Sequence, residues 1–279
     1  MPELPEVETT RRGIAPHIEG QTIDHVVVRQ SKLRWPIPDD LNQQIAACKI
    51  TAVARRAKYL LIHVPHGVIM VHLGMSGSLR VFEADALPEA GKHDHVDLVL
   101  QNGTVLRYHD PRRFGAWLWF SGAIETHQLI EKLGPEPLED TFTAEYLQAA
   151  LSTQKRALKL ALMDNHIVVG VGNIYANETL FRCKLLPTTV ARDVTLEQCQ
   201  ALVNEIKAVL TQAIAAGGST LRDFVNSDGK SGYFQQQYFV YGRDGEACHE
   251  CGEPIAKAVI GQRSSFYCPH CQHCVFECL

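Results

Sequence analysis

Six of the nine cysteines crowd between Cys248 and Cys278, whereas Cys48, Cys183 and Cys199 are scattered. Within the cluster, Cys248-x2-Cys251 and Cys268-x2-Cys271 form two knuckles, CHEC and CPHC, with sixteen residues between them. Each knuckle lets two thiolates chelate from one tight turn, and four sulfurs complete the tetrahedron that zinc prefers. Sulfur at all four positions leaves no open site for a water nucleophile, so the expected single Zn2+ holds structure and does no chemistry. Cys271-x2-Cys274 is an alternative second pair, although CPHC matches CHEC better, and Cys274 and Cys278 otherwise have no assigned role. Between the knuckles, IAKAVI and SSFY read as two strands joined at Gly261-Gln262-Arg263. That puts Arg263 at a hairpin tip, where a guanidinium is either solvated or suited to a phosphate.

In VVGVGNIYANE, Gly170 and Gly172 permit tight backbone geometry before Asn173. A helix opening at Asn173 is either simply capped there or directs its first N–H groups at an anion. The chain itself opens MPELPEVETT, placing Pro2 and Glu3 at a tip where most domains fray. After Gly218, the polar, glycine-bearing stretch STLRDFVNSDGKSGYFQQQ reads as a functional loop or a disordered segment.

These groups need a scaffold. The 279 residues, 46% hydrophobic and 21% charged, suffice for two or three folded domains and exclude disordered and fibrous classes. From Gln21 to about Phe120 short apolar runs such as YLLIHV and VIMVHL alternate with turn signals, including Pro65-His66-Gly67 and a tight two-residue turn at Asn102-Gly103. This favours a sandwich or barrel over a βαβ unit. KLGPEPLEDTF marks a linker near Gly134 to Asp140, and helices follow. KRALKLALM and NIYANETLFRC read as helical. The clearest helix starts at Thr195 with Gln198 as its capping-box partner, carries Leu196, Cys199, Leu202, Val203, Ile206, Val209, Leu210, Ala213 and Ile214 on one face, and stops at Gly217-Gly218.

No secretory signal and no membrane-length apolar run is present, so a cytoplasmic location is expected, where clustered cysteines point to metal and not to disulfides. A net charge of −4 opposes whole-chain attraction to a polyanion, so nucleic-acid contact must rest on local patches.

Taken together, PELPEVE, RRAKYLL, HLGMSGSLR, KHDHVDL, DPRRFGAW, LGPEPL, MDN with VGVGNIYANE, SDGKSGYF, VYGR and the four-cysteine arm resemble the bacterial formamidopyrimidine-DNA glycosylases. The match runs in order through the chain and leaves out only the tail beyond the second knuckle. The resemblance implies an α+β multidomain fold. Its parts would be an N-terminal β-sandwich with flanking helices over 1–133, a helix-two-turns-helix domain over 134–238, and a zinc β-hairpin with a short tail over 239–279. Double-stranded DNA with oxidised bases or abasic sites would lie between the lobes, bound by a monomer with no membrane role.

The resemblance also implies roles. Met1 is removed and the secondary amine of Pro2 attacks C1′ of the damaged nucleotide. An N-terminal amine has a pKa near 8 against about 10.4 for lysine, so a useful fraction is neutral and nucleophilic at cellular pH. Glu3 becomes the acid/base, while Glu6 and Glu8 stay structural. Lys58, otherwise a solvated strand lysine, assists β-elimination, and Arg263 grips phosphate and assists δ-elimination. His72, Asn173 and Tyr241 become backbone contacts, with His93 and Lys155 as weaker carry-overs. Met75 fills the void that base flipping leaves, Arg112 meets the orphaned partner base and Phe114 wedges the step, although pattern alone would place Met75 and Phe114 in a core. The loop at about 219–238 covers the flipped base. Two other readings stand beside this one: an endonuclease VIII-like enzyme for oxidised pyrimidines, and a damage-binding protein that does not cut and could dispense with Pro2, Glu3 and Lys58.

Overall fold

A computed structural model describes residues 2–218 and 238–274. Residues 219–237 of the expected recognition loop, and Cys278 of the tail, lie outside the described residues. The chain divides into two compact units that part between Glu131 and Lys132, with the described residues 216–218 grouped with the first unit and 238–274 with the second.

The first unit opens with helix α1 (Leu4–Ile18), followed by β1 (Ile23–Val28), the short α2 (Leu41–Ile45), then β2 (Ala52–Arg56), β3 (Tyr59–Val64), β4 (Gly67–His72), β5 (Ser78–Phe82), β6 (Asp94–Leu100), β7 (Val105–His109) and β8 (Ala116–Phe120). The strands form two antiparallel four-stranded sheets, β1-β6-β7-β5 and β2-β3-β4-β8. Period-two alternation sends Leu60 and Ile62 of β3, Ile69 and Val71 of β4, Val96 and Leu98 of β6, and Trp117 of β8 into one shared core. Helix α1 contributes Val7, Ile14 and Ile18 to that core and packs against β2, β3 and β5.

The β6–β7 connection differs from the two-residue turn expected from Asn102-Gly103. Residues 101–104 span it, Gly103 alone has a positive φ, +90°, and the Thr104 N–H is bonded to the Asn102 side chain at 3.0 Å. The asparagine supplies its side-chain acceptor in place of a left-handed backbone.

The second unit holds α3 (Ala144–Leu151), α4 (Leu158–Leu162), α5 (Asn173–Arg182), α6 (Leu196–Ala215) and the hairpin of β9 (Ala256–Ile260) and β10 (Arg263–Tyr267). The capping box of α6 forms as expected: Thr195 N–H reaches Gln198 Oε1 at 3.0 Å and Gln198 N–H reaches Thr195 Oγ1 at 3.2 Å. Eight of the nine residues assigned to its apolar face are buried, but Leu196, in the first turn, is 43% exposed because the packing against α3 and α5 leaves that turn uncovered. KRALKLALM is helical only over Leu158–Leu162, since Ala157 bridges Val190 and Leu158 N–H bonds the Thr189 carbonyl at 2.7 Å, which holds the approach extended. The expected linker is likewise docked, with Gly134 N–H on the Asn165 carbonyl and Pro135 O accepting from Val169.

Candidate active site and nucleic-acid interface

In the first unit, Glu3 is the N-cap of α1 and closes a reciprocal box with Glu6: each side chain accepts the other's backbone N–H, the Glu3 N–H meeting Glu6 Oε2 at 2.7 Å. Both carboxylates are buried and so is Pro2. The tip is therefore pinned, with residue 2 against the positive end of a helix dipole. One turn on, Glu8 accepts from Arg11, Arg12 and, across to β2, Arg55. Burial pushes the Glu8 carboxyl up, but the three arginines prevail and bring it down to about 2. Glu6 and Glu8 thus hold α1 in place.

Lys58 occupies the two-residue turn between β2 and β3, correcting its reading as a strand residue. Its neighbour Ala57 has a φ of +53°, a left-handed conformation costing about 1–2 kcal/mol outside glycine, and Arg55 Nη1 grips the Ala57 carbonyl at 2.8 Å. The turn leaves Lys58 only 9% exposed. His72, at the end of β4, pairs in register with Tyr59, their rings 5.0 Å apart. Its Nδ1 accepts the Gly74 N–H at 3.0 Å, which fixes Nε2 as the protonated nitrogen and leaves it a donor. Burial, then the Lys58 and Arg34 charges, lower the imidazole from 6.5 to about 4.

His72 therefore remains a neutral donor throughout the neutral range, and NMR of the ring nitrogens is expected to show an Nε2–H tautomer titrating near 4. Because the folded value is depressed, the unfolded state binds more protons between pH 6.5 and about 4. This contribution to stability is complete above pH 6.5 and is lost as pH falls through that window. A midpoint near 6.5 would contradict the assignment.

Two loops of the first unit carry Met75 and the pair Arg112 and Phe114. Gly74 and Gly115 let them touch: a Cβ on Gly74 would sit 2.4 Å from Gly115 N, and one on Gly115 would sit 1.8 Å from the Tyr108 hydroxyl. Phe114 is 48% exposed with the Arg112 guanidinium 5.0 Å from its ring centre, and Arg113 between them has a φ of +56°. Phe114 therefore stands outside the sandwich core, unlike the core position that pattern alone would give it. His93 lies edge-on to His95 and His109.

The second unit builds its site on α4 and α5. Asn173 opens α5 after Gly172, and its Nδ2 donates to the Ser264 carbonyl at 3.0 Å; Asn177 Oδ1 accepts the Phe266 N–H at 2.9 Å. Lys159, fully buried and passed over in the sequence, donates to Ser264 O at 3.0 Å and Ser265 Oγ at 2.6 Å, while Lys155 is exposed. These helices thereby clamp β10. Gly261 and Gln262, with φ of +55° and +63°, make the primed turn that a two-residue hairpin prefers, and the exposed Arg263 leaves it as the first residue of β10. Glu178, 4% exposed, accepts the N–H groups of Phe239, Val240 and Tyr241 at 2.9, 3.1 and 2.9 Å. Burial raises its carboxyl despite those bonds. The Tyr241 ring stacks edge-on to Phe266 at 5.2 Å.

The sulfurs of Cys248, Cys251, Cys268 and Cys271 all lie within 4.8 Å of one another, with Cys251–Cys268 at 3.4 Å and Cys248–Cys271 at 4.0 Å. A tetrahedral zinc with bonds of about 2.3 Å requires separations of about 3.8 Å, so the donor set and its spacing fit one Zn2+. Exposed Cys274 stands outside the group.

The first unit thus joins a β-sandwich to a pinned, helix-capped start and an exposed aromatic, and the second is a helical domain that clamps a four-thiolate hairpin carrying an exposed arginine. Residues 1–117 match the formamidopyrimidine-DNA glycosylase N-terminal domain, 133–225 the H2TH domain of the same enzymes, and 245–273 the zinc finger found in FPG and IleRS. The chain is 57% identical over 274 residues to the formamidopyrimidine-DNA glycosylase of Neisseria meningitidis serogroup A, covering 98% of this chain and 100% of that protein. It is 58% identical over 273 residues to that of Photobacterium damsela subsp. piscicida, covering 98% and 100%. Among solved structures, the Fpg protein of Thermus thermophilus superposes with a TM-score of 0.86 at 38% identity, over 97% of this chain and 98% of that one. Lactococcus lactis Fpg bound to DNA containing an abasic site gives 0.87 at 32% identity, over 97% and 99%. The chain belongs to the formamidopyrimidine-DNA glycosylase family.

Proposed function

We propose that this chain, as a monomer, excises formamidopyrimidine and 8-oxoguanine lesions from duplex DNA and then cleaves the abasic strand. The observation that carries the reading is the start of α1: Pro2 is buried beside an N-cap carboxylate, at the positive end of a helix. Once residue 1 is removed, that dipole disfavours the protonated amine and raises the fraction with a free lone pair. Attack on C1′ forms the N–C1′ bond as the glycosidic bond breaks and the base leaves with a proton; Glu3 then protonates O4′, the C1′–O4′ bond breaks, and the nitrogen lone pair completes the C=N bond of an open-chain iminium. The nitrogen of proline is secondary, so the resulting iminium has no N–H to lose and stays cationic. It acidifies the C2′ proton, whose removal expels the 3′-phosphate; a second elimination expels the 5′-phosphate, and hydrolysis frees Pro2. Lys58 and Arg263 assist the two eliminations.

His72, Asn173, Tyr241 and Arg263 meet phosphate, with His93 and Lys155 as outer contacts, while Met75, Arg112 and Phe114 occupy the opened stack. Support for a DNA substrate comes from a neighbour at TM-score 0.87 and 32% identity, Lactococcus lactis Fpg complexed with DNA containing N7-benzyl-Fapy-dG. The loop at about 219–238 covers the base. The zinc, bound by Cys248, Cys251, Cys268 and Cys271, fixes the hairpin and takes no part in bond making. Borohydride reduction of enzyme with lesion duplex tests the whole reading: a covalent species attached through Pro2 is the expected product, and its absence would point to a protein that binds damage without cutting.

Arg263 offers an independent check on the phosphate contacts. Arg263→Ala is expected to weaken binding uniformly across sequences and to reduce the slope of log affinity against log salt by about 1. An unchanged slope would remove Arg263 from the contact set.

A further inference from the structure

The two insertion loops share one buried anion. Asp110 is fully buried, and every group at its carboxylate is a donor. Ser76 Oγ–H reaches Oδ1 at 2.9 Å from the loop that carries Met75. From the other loop, Gly115 N–H reaches Oδ2 at 2.9 Å and Arg112 N–H reaches Oδ1 at 3.3 Å, while the Tyr108 hydroxyl reaches Oδ2 at 3.1 Å. Burial and the Asp110 charge push the Tyr108 phenol well above the usual tyrosine range, so it stays a donor. The backbone of Asp110 is fixed as well, its N–H on the His93 carbonyl at 3.0 Å and its carbonyl accepting from His95 Nε2 at 2.8 Å.

We propose that Asp110 is a positioning residue that makes Met75 and Phe114 move as one rigid unit into the base stack. It touches no substrate. It joins the Leu73–Gly77 turn to the Asp110–Gly115 turn through charge-assisted bonds in a low-dielectric site, so neither loop can shift without stranding the anion. The side chains at the insertion tip lie one residue from a bonded partner: Met75 next to Ser76, and Phe114 next to Gly115. An asparagine at this position would present an amide N–H2 to a set of groups in which the two backbone N–H donors cannot reverse their role. The inference rests on the insertion reading of Met75, Arg112 and Phe114.

The test uses the full chain with bound zinc, a duplex carrying 8-oxoguanine opposite cytosine, and 2-aminopurine next to the lesion as a reporter of stack opening. Asp110→Asn, Phe114→Ala and the double variant are compared by stopped-flow fluorescence and by single-turnover excision. Asp110→Asn is expected to slow excision by about 10²-fold, the effect of a misplacement of about 1 Å, and to diminish the fluorescence rise. In the Phe114→Ala background the same substitution should add little, because both act on one event. Effects that multiply, or an unaltered fluorescence rise in Asp110→Asn, overturn the inference while leaving insertion by Phe114 intact. If Phe114→Ala itself changes neither signal, insertion fails and the inference falls with it. Should Asp110→Asn not fold, Ser76→Ala, which removes one link between the loops, carries the same comparison: a reduced rise that is not multiplicative with Phe114→Ala supports the inference, and an unchanged rise overturns it.

Discussion

Keeping the Pro2 nitrogen in a peptide bond, by an N-terminal extension that cannot be removed, is expected to cut lesion excision and strand cleavage by at least about 10³-fold, the scale on which loss of a covalent nucleophile acts. An amide nitrogen has no available lone pair, so it can neither attack C1′ nor become the iminium that serves as electron sink. Affinity for lesion duplex should change only a few-fold, since the phosphate contacts lie elsewhere. Pro2→Gly separates the two stages. It leaves a primary amine with a pKa near 8, so base release persists, but its iminium can lose a proton and become a neutral imine, which acidifies the sugar less. Elimination should therefore slow more than base release, and uncleaved abasic product should accumulate. Rapid-quench assays that resolve base release from strand cleavage measure both steps. Full activity with the extension in place would remove Pro2 from the mechanism.

The parts of this site that were legible in the sequence are those whose chemistry demands local spacing. Two thiolates on one zinc must come from one turn, so CHEC and CPHC announce themselves, and a capping box needs its partners three residues apart, as Thr195 and Gln198 are. What depended on distant neighbours was not legible. Lys159 has the context of any helical lysine, yet β10 covers it completely, and nothing near Lys58 signals the strained turn at Ala57 that delivers it. Asp110 lies inside a recognisable stretch, DPRRFGAW, but its role comes from Ser76 on another loop. Met75 and Phe114 pass for core residues in any periodicity argument, and only the resemblance set them apart; the structure departs from the core reading at Phe114, which is 48% exposed. Net charge misled for a related cause. Glu6, Asp110 and Glu178 count toward −4 but are turned inward onto backbone N–H groups, so they do not present that charge to a polyanion.

Removing the zinc is the second large effect, and the distribution of cores decides what it will destroy. The hairpin's apolar support is slight: Val240, Ile255 and Phe266 pack with Phe181 around Cys248 and Cys268, so two of the metal ligands are themselves part of the cluster. Structural zinc supplies about 10–16 kcal/mol in small modules, comparable to the whole stability of an ordinary domain. The apo hairpin is therefore expected to unfold, releasing Ser264 and Ser265 from Lys159 and Asn173 and setting Arg263 free to sample many orientations. The sandwich has its own core and no zinc ligand, so it should survive. Trp35, Trp117 and Trp119 all belong to the first unit, which makes tryptophan emission a report on that unit alone. After chelation and verified metal loss, emission should stay native while affinity for lesion duplex falls by at least about 10²-fold, or roughly 3 kcal/mol. Unchanged affinity would mean that the hairpin holds its shape through Lys159, Asn173 and Asn177 without the metal. A shifted emission would mean that the sandwich depends on the zinc after all.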